Sequence, residues 1–302
     1  MMRFILFFLV ASPQFAADRQ VAITIDDLPR GGDAINRCSS DLLGFTQRFL
    51  RPLRKAGIPF SGFVNEGQCR EQLGDAKLAA ILRQWKEAGA ELGNHTAQHL
   101  NYNDTPRDQF FAGILEGERV TKQVTGAPVR YFRHPYLHTG KTLEDKRALE
   151  QWLRGHGYII APITIDTPDY IYAALYARAK DDSESRRIRA DYLRIMEELF
   201  AFYEQRSREV LGREIAQTVL IHASQLNADC LPSLIAMMKR RGYRIVSLTE
   251  ALKDPLYAVD EAFVDNKGIS WIHRWGASKG MPIQWEPDPP KWVNEAYKTM
   301  LR

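Results

Sequence analysis

Two short stretches of this chain carry residue types that could do chemistry together. In Thr24-Ile25-Asp26-Asp27-Leu28-Pro29, two adjacent carboxylates follow the apolar run Val21-Ala22-Ile23, where a buried strand opens into a loop. Successive strand residues point to opposite faces, but a backbone that turns lets both side chains reach one cavity. One carboxylate could then bind a metal while the other handles a proton; the plainer reading is an Asp pair capping a turn. In Gly93-Asn94-His95-Thr96-Ala97-Gln98-His99, two imidazoles stand four residues apart after another apolar run. They converge on one ion if the segment between them turns helically. Together with Asp27 they form a set of two His and one carboxylate with coordination positions left open, which suits Zn²⁺ in a catalytic role. Ferrous oxygenases use the same donors, so the donor set leaves the metal open, and a His pair at this spacing is a weak signal by itself.

The elements that must position these groups alternate regularly. Strands are expected at Gln20 to Asp26, Phe60 to Asn65, Glu91 to Thr96, Val129 to Tyr136, Tyr158 to Asp166, Thr218 to Ala223 and Arg244 to Leu248. Between them fall amphipathic helices. Asp41 to Ala56 is ended by Gly57, and Asp75 to Ala88 has Leu78, Ile81, Leu82 and Trp85 on one face. A helix from Thr105, with Pro106 at its first position, turns Phe110, Phe111, Ile114 and Leu115 inward; Leu143 to Arg154 and Leu231 to Arg241 complete the series. Such alternation implies parallel strands with crossover helices, in an open sheet or a closed barrel, and the placement of the polar residues favours the barrel. The long connection before strand six reads as an amphipathic helix through Ile188, Tyr192, Ile195, Leu199 and Phe202, on the outside of the barrel or as a lid. After Asp254 the periodicity fades. Four of the six Trp residues fall there, at Trp271, Trp275, Trp285 and Trp292, and packing is their expected use ahead of stacking on sugar rings.

Composition narrows the function classes. The chain has 302 residues, 45% hydrophobic and 26% charged, and a net charge of +4 with basic and acidic residues interleaved. That balance gives no case for nucleic acid. Met1-Met2-Arg3, an apolar run from Phe4 to Ala11 and a small-residue end at Ala16-Ala17 are expected to form a removable secretory signal over residues 1 to 17, too short to span a bilayer. Periplasmic or secreted placement follows, with no stable membrane insertion. Cys38, Cys69 and Cys230 form no metal-binding pattern. In an exported chain Cys38 and Cys69 could pair on one rim; three separate buried thiols are the alternative.

Further polar groups stand at the remaining strand ends: Arg133-His134-Pro135-Tyr136, Asp166-Thr167-Pro168-Asp169-Tyr170 and Leu220-Ile221-His222. One by one, Arg133 reads as a surface cation, Asp169 as a helix cap and His222 as a core histidine. Jointly they lie where barrel enzymes build their sites, at the carboxyl ends of the strands. With Thr24-Ile25-Asp26-Asp27 and His95-Thr96-Ala97-Gln98-His99 they make five motifs in one order. In these the chain resembles the polysaccharide deacetylases, carbohydrate esterase family 4, also called the NodB homology domain. The resemblance spans about residues 20 to 250 and leaves out the insertion before strand six and the tail after Asp254.

The resemblance implies an α/β fold, a distorted (β/α)7 barrel over residues 18 to 254, to which the chain's own pattern adds a helical insertion before strand six and a C-terminal extension over residues 255 to 302 packed on the barrel. It implies Asp27, His95 and His99 as ligands of Zn²⁺, or of Co²⁺ or Ni²⁺ in its place. Asp26 becomes the general base, His222 the general acid, Arg133 the residue that orients Asp26, and Asp169 the residue that tunes His222. The Tyr136 amide helps hold the oxyanion. The implied reaction is hydrolytic deacetylation of an N-acetylated glycan, a chitin oligomer or peptidoglycan. The alternatives are an O-acetyl xylan esterase, a hydrolase of small linear amides, or a metal-containing module that binds glycan without turnover. Two departures bear on the substrate. Leu28 stands where the family commonly has Gly, and Tyr170 where it commonly has Trp; these, with Leu220, are the expected substrate-contacting positions.

Overall fold

The structure is a computed structural model that describes residues 19–33, 38–39 and 41–302. The expected signal at residues 1 to 17 lies outside the described residues. Seven parallel strands alternate with helices in the order β1 (Arg19–Leu28), α1 (Leu42–Ala56), β2 (Phe60–Val64), α2 (Arg70–Glu87), β3 (Ala90–Asn94), α3 (Arg107–Glu116), α4 (Arg119–Thr125), β4 (Tyr131–Phe132), α5 (Leu143–Gly155) and β5 (Ile159–Ile160). There follow α6 (Asp169–Tyr176), α7 (Asp182–Leu211), β6 (Gln217–His222), α8 (Gln225–Arg240), β7 (Tyr243–Ile245), α9 (Leu248–Ala251), α10 (Trp271–Ser278) and α11 (Lys291–Met300).

The sheet runs β5-β4-β3-β2-β1-β6, with β7 also pairing with β1. Val21 is partnered by Gln217 of β6 and by Ile245 of β7, so β7 lies on the edge of β1 that carries β2 further along. Two expected strands are much shorter than read. Of Val129 to Tyr136 only Tyr131–Phe132 pairs, and of Tyr158 to Asp166 only Ile159–Ile160. Pro135 and Pro162 lack the N–H that a ladder needs. Past Pro162 the chain leaves β4 and meets the opposite end of the sheet, where Ile165 bridges Val219 and the Thr164 and Ile165 amides donate to the Thr218 carbonyl. One run of chain thus begins on one edge of the sheet and ends on the other. The sheet is accordingly curled into a distorted (β/α)7 barrel rather than left open.

Helix faces follow the apolar spacing. Leu78, Ile81, Leu82 and Trp85 of α2 are buried, and Trp85 packs 5.3 Å from Phe49 and 6.1 Å from Phe60, ring centre to ring centre. On α3, Phe110 and Ile114 are buried, but Leu115, expected inward, is exposed: it lies one residue, about 100° of helix, beyond the buried stripe. The α7 helix buries Ile188, Tyr192, Ile195 and Leu199, and packs against α6, α8 and α10 on the outside of the barrel. Beyond Asp254, where periodicity fades, a 3-10 turn (Pro255–Ala258) and two short α-helices form. Trp271 and Trp275, one turn apart on α10, are buried; α11 begins directly after Pro290 and packs on α6. Trp285 is 56% exposed. Cys38 and Cys69 are joined as a disulfide and Cys230 is buried as a free thiol.

Trp85 fills the space between α1, α2 and β2. Its replacement by Ala is expected to cost about 3–5 kcal/mol in urea unfolding; a loss below about 1 kcal/mol would show that this layer collapses around the gap.

Candidate active site

The register of the sheet brings the strand ends together. Asp26 is the direct partner of His222 across β1 and β6, and Asn94 of β3 is partnered by Val64 on one side and Phe132 on the other. A bulge interrupts the β1–β2 register between Ile25 and Leu28, and Asp27 within it has φ 63°. The bulge resolves the problem that alternation poses for adjacent residues, since it re-aims one side chain so that both carboxylates face the same cavity. Gly31 is required beside it, because a Cβ there would lie 2.0 Å from the Asp27 Cβ.

His95 Nε2 lies 3.7 Å and His99 Nε2 3.6 Å from Asp27 Oδ1. One ligand atom from each of these three residues lies within 4.8 Å of the others. His95 Nδ1 donates to the Arg133 carbonyl at 2.9 Å, which fixes the tautomer and leaves Nε2 with its lone pair toward the cluster. Burial first, and then the neighbouring His99, hold the His95 imidazole well below its ordinary pKa, so it is neutral, as a ligand must be. The donors present therefore fit a divalent metal.

The His95–His99 segment is a loop rather than a helical turn. Thr96 and His99 both have left-handed φ, at 62° and 55°. Asn65 Nδ2 donates to the carbonyls of His95 and Thr96 at 2.5 and 3.1 Å, and Asn94 Oδ1 accepts from the Thr96 amide at 2.8 Å. Backbone strain of this kind persists where surrounding contacts over-determine it. Asn65 and Asn94 escaped the sequence reading, and their place at the ends of β2 and β3 is the signal that could have found them.

Asp26 is buried, with its Oδ2 3.7 Å from His95 Nε2 and 4.0 Å from Arg133 Nε. Burial raises its carboxyl to about 6, against the opposing pull of Arg133 and then His222. Arg133 is fully buried rather than a surface cation; its guanidinium lies 4.5 Å over the Phe63 ring, and Nη2 donates to Thr24 Oγ1 at 3.0 Å. His222 Nδ1 pairs with Asp169 Oδ1 at 2.7 Å. Asp169 Oδ2 accepts from the His222 amide at 2.7 Å and from Asn227 Nδ2 at 2.6 Å, and Tyr192 donates to Asn227 Oδ1. Burial by itself lowers the His222 pKa, but Asp169, followed by Asp27 and Asp26, outweighs it and raises the imidazole to about 10. Asn227 also lay outside the sequence reading.

The three positions expected to contact substrate divide. Tyr170 is 44% exposed, with its ring edge-on to His222 at 6.4 Å and to Tyr297 at 6.0 Å. Leu28 is fully buried against Gly62, and Leu220 is buried in the same core, so neither side chain lines a groove. Leu28 points inward because the bulge turns Asp27, not Leu28, toward the cavity. The Tyr136 ring is exposed and packs edge-on at 4.4 Å from that of His99; its backbone has φ 56°.

The chain is similar to known proteins in sequence and in fold. A family model described as polysaccharide deacetylase matches residues 15–151, which hold the first three motifs. The peptidoglycan-N-acetylglucosamine deacetylase of Bacillus cereus is 23% identical over 235 residues, 76% of this chain and 66% of that protein, so the chain spans just under two thirds of that relative's length. Among solved structures, a family 4 carbohydrate esterase pseudoenzyme from Bacillus anthracis aligns with a TM-score of 0.50 at 17% identity, over 78% of this chain and 66% of that one. A peptidoglycan deacetylase from Bacillus subtilis aligns with a TM-score of 0.50 at 19% identity, over 78% and 93%. At these identities the structural likeness is one of fold.

The Asp169 carboxylate is what keeps His222 charged. In metal-free protein, Asp169→Asn is expected to bring the His222 pKa, read by NMR titration, from about 10 down to or below the ordinary 6.5. An unchanged titration would show that the pair is not coupled.

Proposed function

The chain belongs to the polysaccharide deacetylase family, and we propose that it hydrolyses the N-acetyl group of a glycan of the chitin-oligomer or peptidoglycan type. The observation that carries this reading is the side-by-side placement of a buried Asp26 and of His222, paired with Asp169, next to the Asp27, His95 and His99 cluster. Those three residues would hold a divalent metal, with Zn²⁺ favoured by two imidazoles and one carboxylate. A metal there supplies a Lewis acid that polarises the acyl carbonyl and acidifies water.

The residues of the chain do the rest. Asp26, ionised above about pH 6 with Arg133 and His222 beside it, takes a proton from the attacking water as the oxygen bonds to the acyl carbon. Arg133 holds that carboxylate in its ionised form. To the amide of Tyr136, whose ring packs on that of His99 on a turn of left-handed backbone, we assign donation to the developing oxyanion. With Nδ1 committed to Asp169, His222 has Nε2 available to give its proton to the leaving nitrogen. The carbon–nitrogen bond then breaks to acetate and a free amine. The presence of Asp26, Arg133 and His222 together favours turnover over a module that only binds glycan. With Leu28 in the core, Tyr170 is left as the departure that shapes the wall beside His222. Export to an oxidising compartment is supported by the Cys38–Cys69 disulfide; among the described residues no helix is long and apolar enough to cross a membrane.

The test is acetate release from N-acetylglucosamine oligomers by metal-stripped protein with and without Zn²⁺. Wild type is expected to recover activity on zinc addition, while Asp26→Asn and His222→Ala lose about 10²–10⁴-fold in kcat with zinc still bound. Release that is indifferent to both substitutions would reject the assignment of the proton carriers. Ester cleavage without N-deacetylation would move the substrate to an O-acetylated glycan.

A further inference from the structure

Beyond the region matched by the family model, the C-terminal segment reaches back to the loop that carries Tyr136. Arg274 of α10 is 1% exposed. Its Nη2 donates to the Leu137 carbonyl at 2.5 Å, Nη1 to Thr139 Oγ1 at 2.9 Å, and Nε to the Ile269 carbonyl at 3.2 Å. The guanidinium lies 4.5 Å from the Trp271 ring centre and 3.7 Å from the Glu261 carboxylate, and Glu261 also pairs with the buried Lys146 of α5. Arg274 is thus held by its own segment and spends two donors on the loop.

That loop has reason to be held. Tyr136 and Leu137 are consecutive residues with side chains in the left-handed region, at φ 56° and 55°. Such backbone is unfavourable for a residue with a Cβ unless neighbours impose it. Gly268 supplies a second contact from the same segment: a Cβ at that position would lie 1.7 Å from the Tyr136 carbonyl oxygen, so only glycine allows the approach. The Leu137 and His138 amides are already committed to the His134 and Pro135 carbonyls, which sets the turn locally but does not tie it to the barrel. Leu137 buries its side chain in the core and His138 Nδ1 pairs with Asn101 Oδ1 at 2.7 Å, and from the C-terminal segment Arg274 and Gly268 hold the backbone of the turn itself.

We propose that Arg274 is a positioning residue for the reaction: with Gly268 it clamps the Pro135–Thr139 turn so that the Tyr136 amide is presented beside His99. The C-terminal segment is then a working part of the site rather than an appendage. The proposal rests on the deacetylase reading for the role of the Tyr136 amide, but the clamp itself is a property of the loop and can be measured without turnover.

Arg274→Lys keeps a cation beside Glu261 yet cannot reach both Leu137 O and Thr139 Oγ1 with one ammonium. In the zinc-loaded full chain, hydrogen exchange read by mass spectrometry over the peptide spanning residues 131–140 is expected to speed up about tenfold, while peptides of β1 and β6 are unchanged. On N-acetylglucosamine oligomers, kcat should fall about ten- to hundredfold with KM and zinc affinity within about twofold of wild type. Thr139→Val, which removes one acceptor and leaves the buried cation in place, should give the same pattern at smaller size and serves if Arg274→Lys fails to fold. Unchanged exchange across the 131–140 peptide in a folded variant overturns the clamp. Faster exchange in a chain whose wild type releases no acetate from any acetylated substrate supports the clamp and rejects the deacetylase reading.

Discussion

Burying Asp26 and Asp27 at the carboxyl end of β1 removes two carboxylates from water, and such groups must find charge or hydrogen-bonding partners inside or else take up protons. Much of the surrounding architecture answers to that constraint. Arg133, itself fully buried, approaches Asp26 from β4; His222 stands beside it from β6; His95 and His99 converge on Asp27 from the loop after β3. Each of these partners carries its own desolvation cost and needs support from further out. Asp169 keeps His222 charged, Asn227 and Tyr192 hold Asp169, and Thr24 and Phe63 hold Arg133.

The same constraint explains why the site collects local strain. Asp27 in the bulge of β1, and Thr96, His99 and Tyr136 in the loops that form the cavity, all adopt left-handed backbone without being glycine. A regular strand or helix would aim neighbouring side chains apart, whereas bulged and turned backbone aims them together. The cost is met by contacts with the rigid frame: the Asn65 amide on the His95–Thr96 carbonyls, Gly31 against Asp27, and Arg274 on the Tyr136–Leu137 turn. The loops of the site are therefore ordered by partners that do no chemistry.

Most of the fold was legible because apolar spacing is local. The helices through Trp85, Phe110 and Tyr192 follow their own periodicity, and seven apolar runs mark seven strands. Legibility failed where a local rule met a non-local one. Strands four and five were read too long because Pro135 and Pro162 break ladders that a run of apolar residues suggests. The two imidazoles of His95 and His99 were expected to meet by helical spacing, but they meet through a strained loop. Leu28 was placed near the substrate from its position beside the Asp pair, yet a single bulge turned it into the core. The tail was illegible because its helices are short and its chief contacts are made by single residues.

The identities and order of the residues proposed to react were present in the sequence, since five motifs near strand ends mark groups whose types suit metal binding and proton transfer. Their mutual distances, and therefore the charge on each, were decided by the tertiary structure. The β1–β6 register sets Asp26 beside His222, and the curl of the sheet brings Ile165 to Val219. Arg274 finds Leu137 from 137 positions away. Such contacts depend on how whole elements pack, and a linear pattern of residue types carries no record of which buried cation will face which buried carbonyl.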